Sequence, residues 1–144
     1  MTSEQLKHLE FIQAVIARMA GNSFLLKGWS VTLSTAVIGF AVAKDSNLKF
    51  AVLALLPPAL FLFLDAYYLH QERLFRGLHN RIRLMDEQEW KKNGLFSMDT
   101  KGVALEVKSW KRTLVAPVVF WPHFVVFLVV VCILGSWWCR LKNA

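Results

Sequence analysis

The chain has 144 residues, of which 56% are hydrophobic and 19% are charged, a composition too apolar for an ordinary soluble domain. A formal charge of +7 accompanies a mean hydropathy of +0.41, and this combination favours membrane-spanning helices with basic flanks over a nucleic-acid-binding domain. The sequence therefore predicts a single-domain, all-α integral membrane protein whose first partner is lipid.

The first predicted elements are an amphipathic helix over residues 3–20 and a transmembrane helix over residues 24–43. The opening residues lack the basic, apolar and small-residue regions of a signal peptide, so no cleavage is expected. Small residues recur along the first span at helical spacing: Gly28, Thr32, Thr35 and Gly39. Such residues let helices approach closely in lipid. Three interpretations stay open: packing against the next helix, a subunit interface, or a hydroxyl-lined pore.

A second transmembrane helix is predicted over residues 48–69. The polar turn between the spans, Lys44 to Asn47, is so short that the two helices must form an antiparallel hairpin. Pro57 and Pro58 fall near the middle of the second span, where each missing N–H frees a carbonyl and bends a helix. The bend is interpreted either as a gating hinge or as a fixed feature of shape.

The second span is predicted to continue as a cytoplasmic stalk helix over residues 70–92, because apolar residues recur there at intervals of three to four. A basic amphipathic helix is predicted over residues 103–115, lying in the headgroup layer or packed on the stalk. A third transmembrane helix follows over residues 118–138. The exposed cations expected to contact lipid or a partner protein are Arg81, Arg83, Lys108, Lys111 and Arg112.

Orientation follows from the distribution of Lys and Arg. Thirteen lie in the N-terminal part and in the connector over residues 70–116, whereas the turn and the adjoining end of the second span hold only Lys44 and Lys49. The N-terminus and connector are therefore predicted to be cytoplasmic, with the third span running outward and Arg140 and Lys142 outside. A re-entrant or interfacial third segment is the alternative topology.

Charges at membrane depth are the most informative residues, since an ion in hydrocarbon needs a partner or water. Measured from the middle of the turn, Lys27 lies 18.5 residues before it and Asp65 19.5 residues after it. Arg18 and Glu72 lie 27.5 and 26.5 residues away. We therefore predict two opposite-charge contacts between the first two helices, Lys27 with Asp65 and Arg18 with Glu72. Snorkelling of Lys27 and solvation of Asp65 are the alternative.

Catalytic motifs are not recognised in the sequence. The four histidines lie apart from carboxylate or cysteine neighbours at metal spacing, so neither a metal nor a cofactor is expected. His123 is the only one whose setting suggests pH sensing, although a solvated interfacial imidazole is the favoured interpretation. Cys132 and Cys139 are interpreted as small apolar residues, with an intermolecular disulfide or a redox site as the alternative. The connector is too small for an enzyme domain, and its cations lack the interleaved aromatic residues typical of nucleic-acid binding.

Two runs resemble a known family: RMAGNSFLLKGW at residues 18–29 and LDAYYLHQERLFR at residues 64–76. They are similar to small bacterial integral-membrane proteins of the SLATT type, membrane effectors found with antiviral defence loci. The motif positions carried over are Arg18, Asn22, Lys27, Asp65 and Glu72. The resemblance implies an inner-membrane effector that forms homo-oligomers and perturbs the bilayer when a cytoplasmic sensor is triggered. The third span is an addition to a plain two-helix effector.

Two classes of function are therefore expected. One is the oligomeric, membrane-permeabilising effector. The other is a non-conducting scaffold that recruits a soluble cytoplasmic protein through its basic stalk.

Overall fold

The computed structural model describes residues 2–43, 52–94 and 96–143. The helices are α1 (Ser3–Ala43), α2 (Leu56–Leu84), α3 (Glu87–Asn93), α4 (Trp110–Leu114) and α5 (Pro117–Asn143), with 3-10 turns at Leu53–Leu55 and Lys101–Val103. Within these described ranges no β-strand occurs. The predicted turn at Lys44 to Asn47, and the predicted start of the second span at residue 48, lie outside the described residues.

Three helices are long and apolar enough to cross a membrane: α1, the run Leu53–Leu84 that contains α2, and α5. Most of their apolar side chains are exposed, as expected of surfaces that face lipid. The prediction of an all-helical fold is confirmed for the described residues, and so is the prediction of three helices long and apolar enough to span a membrane.

The first helix is continuous, whereas the sequence predicted separate helices over residues 3–20 and 24–43. That division was wrong. Ile16 and Ala20 line a groove shared with α2, and Ser23 is hydrogen-bonded to α2. Packing on both sides of Gly21 and Asn22 outweighs the low helix propensity of these two residues.

Helices α1 and α2 lie antiparallel over most of their length. At one end, the Gln5 side-chain amide donates to the carbonyl oxygens of Ile82 at 3.1 Å and Met85 at 3.2 Å. Further along, Ser23 contacts Asp65. The Gln5 amide thereby adds hydrogen bonds to two carbonyl groups at the C-terminal end of α2, where helical partners run out; the Ile82 carbonyl also accepts the Met85 N–H at 3.3 Å.

The stalk predicted over residues 70–92 is not one helix. Helix α2 ends at Leu84 because Met85 is extended, with a ψ of 139°. Asp86 then caps α3, its side chain accepting the Glu89 backbone N–H at 2.7 Å. The predicted end of the helix at Asn93 and Gly94 coincides with the end of α3, where the Gly94 N–H bonds to the Trp90 carbonyl at 2.8 Å.

The two adjacent prolines begin α2 rather than interrupting it. Pro57 and Pro58 lack the N–H groups that would bond to the carbonyls of Leu53 and Ala54. The preceding turn is accordingly a 3-10 helix, in which the Leu56 N–H bonds to the Leu53 carbonyl. Both prolines are buried. The predicted mid-span bend is thus a change of helix type at the start of α2.

The predicted basic helix over residues 103–115 was also wrong. Val103 ends a 3-10 turn and is buried against the core, while Ser109 is extended with a ψ of 153°. Only Trp110–Leu114 forms α4, which packs on α2. Because Val103 is buried against α2, the chain after it does not continue as the predicted helix.

A compact hydrophobic core lies at one end of the helices, opposite the 3-10 turn at Leu53–Leu55. It consists of Leu9, Ile12, Leu78, Ile82, Trp90 and Val103, which we call the distal core. Gly77 of α2 lies beside Val103: a β-carbon added at Gly77 would make an ordinary van der Waals contact with that side chain, at 3.4 Å. This core fixes the relative positions of α1, α2 and α3.

Candidate functional site: a charged junction of three helices

One face of α1 carries polar side chains into the protein interior. Ser23, Ser30 and Ser34 are buried, and Lys27 lies between the first two on the same face. Their spacing of three to four residues places them in a row along the helix. The α1 surface that meets the other candidate spans therefore carries several polar side chains.

Asp65 of α2 lies at the centre of this polar contact. Its side chain is fully buried, and Oδ2 lies 2.6 Å from the Lys27 ammonium nitrogen. The Ser23 hydroxyl donates to the other carboxylate oxygen, Oδ1, and accepts a hydrogen bond from Lys27 at 2.9 Å. Both oxygens of the carboxylate are thus hydrogen-bonded, as a buried charge requires.

His123 brings the third helix to the same carboxylate. Its Nε2 lies 3.3 Å from Asp65 Oδ2, and its Nδ1 lies 3.3 Å from the Ser30 hydroxyl. A carboxylate only accepts hydrogen bonds, so Nε2 carries a proton and donates. We call the five residues Ser23, Lys27, Ser30, Asp65 and His123 the three-helix junction.

The charges of the three-helix junction cancel when the imidazole is neutral. Lys27 and Asp65 contribute opposite unit charges in a low-dielectric environment, where an unpaired ion would be costly. Asp65 and His123 are 0% and 2% exposed, whereas the Lys27 side chain is 21% exposed. Of these three side chains, Lys27 is therefore the one that reaches solvent.

The structure brings together one of the two predicted charge pairs. Lys27 and Asp65 are in direct contact, whereas Glu72 pairs with Arg76 of its own helix at 2.7 Å. Arg18 is exposed. Ile16 and Ala20 face α2, and residue 18 is about 200° of helix rotation from each, on the opposite side of α1. The Arg18 to Glu72 contact predicted from depth alone is therefore absent.

Three members of the junction were missed or misinterpreted in the sequence. His123, expected to be solvated, is buried at 2% exposure. The available signal was that it is the one ionisable residue in an apolar span, a position that normally requires a polar partner. Ser23 and Ser30 lie four residues before and three after Lys27, so they share its helix face.

The predicted packing face of α1 is not used inside the protein. Gly28, Thr32, Thr35 and Gly39 are all exposed. A β-carbon added at Gly28 or Gly39 would have no atom within 4 Å. The interpretation that this face packs against the next helix is therefore wrong for this chain.

The predicted lipid or partner contacts are also at the surface. All five cations are exposed: Arg81, Arg83, Lys108, Lys111 and Arg112. Nearby, Arg73 donates to the buried Thr113 hydroxyl at 3.1 Å and connects α2 to α4. In the described part of the chain, no three His, Cys, Asp or Glu side chains are grouped as metal ligands.

The chain matches no family model, no curated protein and no solved structure. Its function is therefore inferred from the geometry of the three-helix junction and from the surfaces that the helices expose.

Proposed function

We propose that the protein is an oligomeric effector of the bacterial inner membrane that permeabilises the bilayer in response to a cytoplasmic trigger. The N-terminus and the basic connector face the cytoplasm in this proposal, as their Lys and Arg content favours. The role in defence is supported by the resemblance of residues 18–29 and 64–76 to SLATT-type effectors.

The observation that carries the oligomeric proposal is the uncovered small-residue face of α1. Gly28 and Gly39 leave open space above the helix backbone, and Thr32 and Thr35 lie exposed between them. The Thr32 hydroxyl donates to the Gly28 carbonyl of its own helix at 3.0 Å. In lipid, such a face gains dispersion contacts and interhelical hydrogen bonds when a second helix packs on it.

Permeabilisation would follow from rearrangement of packed subunits rather than from a preformed channel within one chain. The charges of the three-helix junction are internal and mutually neutralised. The exposed face of α1 that carries Gly28, Thr32, Thr35 and Gly39 is the surface that neighbouring subunits bring together. A trigger that changes how subunits pack would then expose hydroxyl groups to a water-filled path.

Dye release from liposomes tests this proposal. The purified protein is reconstituted, and the double variant Gly28→Leu with Gly39→Leu is compared with Gly135→Leu. Gly135 of α5 also has open space around it, so it provides a matched control. We expect oligomers of the wild type and of Gly135→Leu but not of the double variant, detected by crosslinking in the same liposomes, and leakage only from proteins that form oligomers. A wild type that stays monomeric, or a double variant that forms the same oligomers as the wild type, would exclude the proposal.

A second function, a non-conducting scaffold, is favoured by the polar groove between α1 and α2. Its cavity of about 410 Å³ is lined in part by Gln13, Arg76, His79 and Asn80. Arg81 and Arg83 are exposed on the neighbouring part of α2. Together these residues offer hydrogen-bond donors and positive charge to an acidic protein surface.

Co-purification from native membranes tests the scaffold. We expect a stoichiometric cytoplasmic protein that is lost from Arg81→Gln with Arg83→Gln and retained by Lys91→Gln with Lys92→Gln. The second variant removes the same charge from the adjacent α3. A wild-type protein that purifies without a stoichiometric partner, or a partner lost equally from both variants, would contradict this function.

A further inference from the structure

We propose that the three-helix junction is an intramembrane proton-binding site, in which protonation of His123 replaces Lys27 as the charge partner of Asp65. The inference goes beyond the proposed function, because it concerns how the three helices are coupled whether or not the protein permeabilises a bilayer.

The geometric basis is a single oxygen atom shared by two nitrogen bases. Lys27 Nζ and His123 Nε2 contact the same Asp65 Oδ2, at 2.6 and 3.3 Å. The two nitrogens therefore lie within about 6 Å of each other. One carboxylate can neutralise one of them.

When His123 is neutral, the hydrogen-bonding groups of its imidazole are all paired. His123 Nε2–H donates to Asp65, which leaves Nδ1 with a lone pair that accepts the Ser30 hydroxyl. Lys27 and Asp65 then supply the only formal charges, and they cancel. His123 can take up a proton at Nδ1 without losing a hydrogen bond, because the Ser30 hydroxyl can rotate and accept instead.

Protonation changes the charge balance. The added proton comes from solution, and the three side chains then carry two positive charges and one negative charge. The ionisable groups facing His123 are Lys27 from α1 and Asp65 from α2. The remaining wall includes Pro58, Leu62, Phe120 and Phe124, which line an apolar cavity that offers no compensating polar group. The excess positive charge is therefore unfavourable until one cation leaves.

Lys27 is the cation that can leave. Its side chain is 21% exposed, compared with 2% for His123. Its flexible four-carbon stem allows the ammonium group to move to the membrane surface, while the imidazolium is held between Asp65 and Ser30. The Ser23 hydroxyl continues to donate to Asp65 Oδ1. Proton uptake thus weakens the charged contact between α1 and α2 and strengthens that between α2 and α5.

Nitrogen-15 NMR of the full chain in lipid nanodiscs tests the exchange directly. Histidine and lysine side chains are labelled, and spectra are recorded from about pH 8 to about pH 5. The resonances are assigned by their loss in His123→Gln and in Lys27→Arg. We expect His123 to become an imidazolium and the Lys27 Nζ resonance to shift toward that of a solvated ammonium with the same midpoint.

The variants separate this exchange from general effects of pH. His123→Gln keeps a hydrogen-bond donor and acceptor but cannot be protonated, so the Lys27 resonance should become independent of pH. His79→Gln, at a histidine in the polar groove, should retain the wild-type response. A wild-type His123 that stays neutral to pH 5, or one that is protonated while the Lys27 resonance is unchanged, would overturn the proposal; neither result bears on leakage.

Discussion

Phe96 shows how a single residue closes the distal core. It adopts a left-handed backbone conformation, with a φ of 49°, which is unfavourable for a residue with a side chain. Its ring lies 5.4 Å from the ring of His8 and 6.1 Å from that of Trp90, measured between centroids. Aromatic packing therefore offsets the cost of the backbone conformation.

Substitution of Phe96 separates these two effects. Phe96→Ala loses the aromatic contacts and keeps the unfavourable backbone, whereas Phe96→Gly loses the contacts and relieves the backbone. We expect both variants to lower the free energy of unfolding, and Phe96→Gly to be more stable than Phe96→Ala by about 1 kcal/mol. Denaturant unfolding in detergent measures the difference, and a less stable Gly variant would contradict the interpretation.

His8 is a second residue whose environment defines its role. Trp90 Nε1–H donates to His8 Nδ1 at 3.1 Å, and His8 Nε2 lies 3.0 Å from the Ser97 carbonyl. An indole N–H can only donate and a carbonyl can only accept, so the imidazole is the neutral form protonated at Nε2. His8 therefore connects three separate segments of the chain.

Removing this imidazole should destabilise the distal core. His8→Phe preserves an aromatic ring but leaves the buried Trp90 donor and the Ser97 carbonyl without their partner, at a cost of about 1–3 kcal/mol for each group left buried. His79→Phe, in the open groove, should have a much smaller effect. Equal losses in the two variants, measured by thermal unfolding, would argue against this role.

At the scale of elements, α3 depends on local interactions at its two ends. The Glu87 carboxylate accepts a hydrogen bond from Lys91 one turn later at 2.7 Å. This hydrogen bond and the charge of Lys91 lower the pKa of Glu87 from its ordinary value of 4.5. Because the pKa of Glu87 is lowered in the folded state, the pair stabilises α3 fully at pH values above the ordinary pKa. This stabilisation is lost as the pH falls through the lowered pKa.

A matched variant isolates this pH dependence. Glu87→Gln cannot ionise, so the wild type should exceed it slightly in thermal stability at neutral pH and lose that advantage in acid. The effect should be small because both side chains are solvent-exposed. A stability difference that stays constant from neutral to acidic pH would show that ionisation of Glu87 is not involved.

The helices were predictable where the sequence contains long apolar runs. Their bounds were less predictable where tertiary contacts determine whether a helix continues or ends. The three candidate spans follow from apolar runs in the sequence. The continuity of α1 through Gly21, by contrast, depends on its packing against α2, and the extended conformation of Ser109 depends on how Val103 is buried. Neither contact can be predicted from the helix propensities of the local residues.

For the molecule as a whole, residue counts along an antiparallel pair predict depth but not rotation. Depth was sufficient to predict that Lys27 and Asp65 meet. It could not show that Arg18 points away from α2, since that depends on which side of α1 packs. His123 belongs to a helix far along the chain, so its position beside Asp65 requires the tertiary fold.

A buried ion pair between α1 and α2, Lys27 with Asp65, is expected to hold the candidate spans together. The most direct test is the free energy of unfolding in nanodiscs, at about pH 8, of Lys27→Asp, Asp65→Lys and the charge-reversed double variant. Each single change should cost about 3–5 kcal/mol, because it places like charges together in the interior. The double variant should recover most of that loss, since neutral His123 can accept a hydrogen bond from a lysine at position 65. A double variant as unstable as the worse single variant would contradict the claim.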